Sequence, residues 1–126
     1  MINSKKVLLI ASLSGMLAVG LGAFGAHALK SLLLQNNRWD TYELAVRYHF
    51  YHTLALLAIA IFMDRVSTRW LSYAALSMLV GIVLFSGSLY LLALLNETAF
   101  AIATPFGGGF LLVGWGFLFY AGWKKA

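Results

Sequence analysis

Charged residues are missing from four long stretches of this chain, and no other feature constrains its fold so tightly. Val7–Leu29 runs 23 residues without a charge, Tyr48–Met63 runs 16, Trp70–Asn96 runs 27 and Thr98–Trp123 runs 26. A helix rises about 1.5 Å per residue, so a hydrocarbon core is crossed by about 20 apolar residues. The second run reaches that length only if it begins near Leu44, with Arg47 snorkelling or paired. The expected spans are therefore 7–29, 44–63, 70–95 and 99–123. Composition agrees: 62% of the 126 residues are hydrophobic and 10% charged, against roughly half and a quarter in a soluble domain. A disordered chain is excluded, and a soluble globule is a poor fit. The sequence reads as one transmembrane domain over 1–126, an all-α integral membrane four-helix bundle.

The charges set its expected orientation. Four spans place both termini on one side, together with Lys5, Lys6, Arg65, Arg69, Lys124 and Lys125; Lys30, Arg38 and Arg47 fall on the other. Six basic residues against three favour cytoplasmic termini for this multi-pass protein. The net charge of +5 is thus spent on topology and anchoring, and nucleic acid is not an expected partner. Ala26-His27-Ala28 after Lys5 and Lys6 imitates a signal cleavage site, but the uncharged run is longer than a signal core, so the span is expected to be retained. Cysteine is absent, which removes disulfides and thiolate chemistry. Ser14, Ala18, Gly22 and Ala26 recur every four residues and predict close approach of another helix. Packing inside the bundle is the preferred explanation; a homo-oligomer or a partner membrane protein is the alternative, and the lipid bilayer is the first partner in either case.

Fixing the sides also gathers the polar residues. His27 falls near the outer end of the first span, and His49 and His52 near the outer start of the second. Ser86, Ser88 and Tyr90 occupy the outer half of the third, and Thr104, read as an N-cap ahead of Pro105, the outer end of the fourth. Polar groups in a membrane turn from lipid and seek partners, so a polar cluster is expected in the outer half of the bundle. His27, His49 and His52 are the metal candidates, since three imidazoles can hold zinc or copper, and two histidines could face a haem. No carboxylate or thiolate is placed to join them, and neutral, hydrogen-bonded core histidines are the preferred explanation, with no cofactor. Hydroxyls and histidines are present, but no nucleophile motif or third, orienting residue is, so the chain is not read as an enzyme.

Four of these segments match a known family in order along nearly the whole chain. Gly22-Ala23-Phe24-Gly25-Ala26-His27, His52 with the following Leu-Ala-Leu-Leu, Phe85-Ser86-Gly87-Ser88-Leu89-Tyr90 and Thr104-Pro105-Phe106-Gly107-Gly108 resemble domain-of-unknown-function family 423. These are small bacterial membrane proteins, similar to eukaryotic transmembrane protein 256. The resemblance implies a four-helix protein of the plasma membrane and no settled activity.

Together these readings favour a non-enzymatic membrane module. Its outer polar pocket, formed by His27, His52, Ser86, Ser88, Tyr90 and Thr104, would bind a small ligand, a lipid or a partner helix. A small transporter or channel, proton-coupled through the histidines, is one alternative; a haem- or metal-binding protein is the other.

Overall fold

The computed structural model describes residues 1–125, and among these there is no strand. Helix α1 (Ser4–Ala26) is followed by a short helix α2 (Lys30–Gln35), then α3 (Trp39–Met63) and α4 (Arg69–Leu95). A 3₁₀ turn (Thr98–Ile102) leads into α5 (Ala103–Lys125). The helices α1, α3, α4 and α5 are each long and apolar enough to cross a membrane.

The helix ends explain the departures from expectation. Asn3 caps α1 through its side chain, which accepts from the Lys6 N–H at 2.9 Å. The helix stops at Ala26 rather than Leu29, because the chain folds back there to bury Leu33 of α2 completely. Asn36 then donates to the carbonyl of Ala93 at 3.1 Å, and Arg38 Nε donates to Asn96 Oδ1 at 3.1 Å. These bonds tie the α2 connection to the end of α4 and let α3 start at Trp39, five residues before the expected Leu44. Asn96 ends α4 in the left-handed region at φ 54°, a conformation that Asn tolerates better than most residues. Thr104 is not a cap: α5 begins one residue earlier, straight from the 3₁₀ turn, and the Thr104 hydroxyl is bonded to Ser88 instead.

Helices α3 and α4 form the inner pair. Within their most apolar windows 44% and 50% of residues are buried, against 22% for α1 and 17% for α5. The flanking helices pack chiefly on one inner helix each, α1 on α3 and α5 on α4. Glycine makes the second seam tight. A Cβ on Gly107 would run into the backbone of Leu84 and Phe85, and one on Gly114 would meet Met78. The small-residue stripe of α1 packs inside the chain over most of its length: Ser14 and Ala18 are buried and Gly22 backs onto Val46, while Ala26 is exposed. Near the termini, Ser72 donates to the carbonyl of Ile2 at 3.1 Å, so the N-terminus and the α3–α4 turn share one end.

Candidate functional site: a polar layer between two lateral grooves

Two apolar clusters fill the protein, one around Leu56, Ile59 and Met78 and one around Leu33, Tyr42 and Leu89. Between them lies a layer of buried polar side chains. Its centre is His49, 5% exposed, which joins three helices. Its Nδ1 is 2.9 Å from the Tyr90 hydroxyl on α4, and its Nε2 is 3.0 Å from Ser14 Oγ on α1. Ser14 Oγ is 2.6 Å from Thr53 Oγ1, which donates to the His49 carbonyl at 2.7 Å.

Each hydroxyl has one hydrogen, and this fixes the direction of the whole chain. Thr53 spends its hydrogen on the carbonyl, so Ser14 donates to Thr53. Ser14 must then accept from His49, whose Nε2 carries the proton, and Nδ1 accepts from Tyr90. With the ring neutral, both nitrogens of His49 are occupied.

His52 is satisfied in the opposite tautomer. The Trp115 indole can only donate, and its Nε1–H reaches His52 Nε2 at 3.0 Å. His52 Nδ1 lies 2.8 Å from the Tyr48 carbonyl, an acceptor, and therefore bears the hydrogen. Ser86 donates to the Ala45 carbonyl at 2.8 Å. Ser88 donates to Phe85 at 2.9 Å and receives the Thr104 hydroxyl at 2.6 Å. Among the described residues every buried side-chain nitrogen or oxygen has a partner.

The expected residues are thus not one cluster. His49 and Tyr90 meet, Ser88 and Thr104 meet, and Ser86 and His52 each bond elsewhere. His27 joins none of them: it caps the end of α1 and is exposed. His27, His49 and His52 do not converge, and among the described residues no group of three or more His, Asp or Glu side chains is placed to hold a metal ion. His52 and Trp115 face each other near the middle of α3 and α5, while Ser86, Ser88 and Tyr90 lie in the C-terminal half of α4 and Thr104 at the start of α5. Ser14, Thr53 and Trp115 belong to it without having been singled out. Ser14 had a signal, as the one polar member of the α1 stripe. Thr53 follows His49 by four residues on the same helix face. Tyr42 is 2% exposed; its hydroxyl donates to the Leu21 carbonyl and its ring stands against Gly25.

Two grooves flank the layer. One, of about 800 Å³, lies between α3 and α5 and is lined by Tyr48, Tyr51, His52, Pro105, Gly109 and Trp115 among others. Tyr48 stacks on Phe85 at 4.8 Å beside it. The other, of about 460 Å³, lies between α1 and α4 over Ser14, His49, Ser86 and Tyr90. Both fall in the size range of small-molecule sites, about 300–1,000 Å³.

Comparison with known proteins places this architecture in a family. The family described as "Protein of unknown function (DUF423)" matches residues 21–108. The chain is 40% identical over 114 residues to the UPF0382 inner membrane protein YgdD of Escherichia coli (strain K12), covering 90% of this chain and 86% of that protein. It is 37% identical over 122 residues to the UPF0382 membrane protein SAB0533 of Staphylococcus aureus (strain bovine RF122 / ET3-1), covering 97% and 98%. It is 36% identical over 118 residues to the UPF0382 membrane protein YwdK of Bacillus subtilis (strain 168), covering 88% and 90%. No solved structure matches.

Proposed function

The chain belongs to the DUF423 family, and from that premise we propose that this inner-membrane protein is a non-enzymatic module whose α3–α5 groove holds a lipid-phase ligand with an apolar chain. The observation that carries the reading is the groove itself. Its wall is mostly ring and aliphatic surface, and Tyr51, Leu112 and Trp115 on it are 56%, 74% and 46% exposed. Between membrane-spanning helices such a groove opens sideways to hydrocarbon, so its ligand arrives from the bilayer. Gly109 widens it, since a Cβ there would meet nothing.

The histidines support binding over catalysis. Ser14 beside His49 superficially resembles a nucleophile–base pair, but the hydrogen-bond chain makes His49 the donor to Ser14, which is the wrong direction for removing a proton. Both nitrogens of His49 and of His52 are engaged, so ligation of a metal or haem iron would first have to break a bond inside the bundle. The module is oriented with both termini cytoplasmic, as the positive-inside bias favours; the Ser72–Ile2 bond keeps Arg65 and Arg69 at the same end as Lys5 and Lys6.

The test is retention of a long-chain alcohol by the purified full chain, read by native mass spectrometry. One alcohol per chain is expected, with retention lost in Gly109→Leu, which fills the groove. Gly20→Leu is the control, because Gly20 also faces open space but does not line the groove. Equal retention by both variants, or none by the wild type, overturns the reading.

A further inference from the structure

The groove ends near Tyr48 and Tyr51, but the exposed face of α3 continues toward the outer end of the helix. Glu43, Arg47 and Tyr51 are all exposed and stand four residues apart, so they line one stripe at intervals of about 6 Å. Glu43 and Arg47 also line a cleft of about 210 Å³ between α1 and α3, opposite Gly22, Gly25 and Ala26 and beside Trp39. Lys30 Nζ stands 5.9 Å from the centre of the Trp39 ring, which adds a second cation at the rim. The most apolar stretch of α3 is the least hydrophobic of the four, with a mean hydropathy of 1.3.

Opposite charges on the outward face of a membrane helix are costly unless something of matching charge meets them. At this end of α3 the surrounding medium is lipid headgroup. Arginine offers a planar fork of N–H donors that suits a phosphate, and a carboxylate accepts from an ammonium. We propose that Arg47 and Glu43 form a headgroup site for a zwitterionic phospholipid with a primary amine, the phosphate on Arg47 and the ammonium on Glu43. One acyl chain descends past Tyr51 into the α3–α5 groove. His52 on the groove wall lies five residues further along α3, about 7.5 Å deeper, so one chain reaches from the charged pair to the groove. A primary ammonium brings three N–H donors to Glu43; a quaternary one brings none, and a glycerol headgroup brings no cation. The inference rests on the groove being the chain's site.

The experiment uses the full chain in nanodiscs of equal parts phosphatidylethanolamine, phosphatidylcholine and phosphatidylglycerol, with retained lipid identified by native mass spectrometry. Wild type is expected to enrich phosphatidylethanolamine over the other two. Arg47→Gln is expected to lower retention of all three by about tenfold, equivalent to about 1.4 kcal/mol, while still holding the long-chain alcohol. Glu43→Gln is expected to keep phospholipid but lose the preference for the primary amine. Arg47→Lys, which retains charge without the fork, should fall between wild type and Arg47→Gln. Circular dichroism checks that each variant keeps its helices. Absence of any headgroup preference, or a preference unmoved by both Gln variants, overturns the headgroup site alone. Failure of the wild type to hold even the alcohol overturns the groove.

Discussion

Trp115 on α5 donates its indole N–H to Nε2 of His52 on α3 across 3.0 Å, bridging two helices that are not principal packing neighbours. Helix α5 packs mainly on α4, so this bond spans the floor of the groove and holds its two walls at a set separation. Trp115→Phe removes the donor and leaves a histidine acceptor unmet. Hydrogen bonds between membrane helices average about 0.6 kcal/mol and reach about 1.7. A double-mutant cycle of Trp115→Phe and His52→Phe, followed by denaturant unfolding in detergent, should give a coupling within that range. A coupling of zero would mean that the two side chains do not hold the groove.

The His49 junction should be worth more, because one residue serves three helices. His49→Ala removes a partner from both Ser14 and Tyr90 and leaves a void. Tyr90→Phe removes only one hydroxyl and keeps the ring, which packs edge-on against Tyr42 at 5.3 Å. Loss of one buried hydrogen bond costs about 0.5–1.5 kcal/mol, and stranding a buried polar partner about 1–3 kcal/mol. Unfolding measurements should therefore rank His49→Ala as clearly more destabilising than Tyr90→Phe. The reverse order would place the junction's strength in the tyrosine ring instead.

The contrast between His27 and His49 shows where sequence reading succeeds and where it stops. The four spans were legible because a run of uncharged residues long enough to cross a bilayer has few other fates. Depth was partly legible too, since antiparallel spans bring His49 and Tyr90 to one level. Rotation about each helix axis was not. In a membrane both the lipid face and the core face are apolar, so the hydrophobic pattern does not say which way a histidine points. That is why the sequence groups His27 with the layer, and why Trp115, one aromatic among many on α5, does not stand out in it. Helix ends were hidden for a related reason: Leu33, which folds the chain back early, differs little in kind from the lipid-facing leucines around it.

Sidedness can be read directly, because the natural chain has no cysteine and any introduced thiol is unique. Ser67 in the α3–α4 turn and Gln35 at the end of α2 are both exposed and lie at opposite ends of the bundle. With cytoplasmic termini, Gln35→Cys should react with a membrane-impermeant maleimide on intact cells, and Ser67→Cys only after permeabilisation. The opposite pattern would invert the orientation and move the Glu43–Arg47 pair to the inner leaflet.

The glycines of α5 give a test of packing in which one substitution has two outcomes on the same helix. At Gly107 an added methyl meets the backbone of Leu84 and Phe85, which cannot swing aside as a side chain would. At Gly116 the same methyl meets nothing within 4 Å. Overpacking a close seam costs about 1–3 kcal/mol, whereas Gly to Ala in an unhindered helix interior gains up to about 1 kcal/mol through propensity in water. Gly107→Ala should therefore lower unfolding stability in detergent, and Gly116→Ala should leave it unchanged or raise it. Separating α4 from α5 also shifts Pro105 and Gly109 on the groove wall, so Gly107→Ala should weaken retention of the long-chain alcohol while Gly116→Ala does not. Equal behaviour of the two variants would mean that α5 does not approach α4 through Gly107, and the groove would then have to be drawn with a different wall.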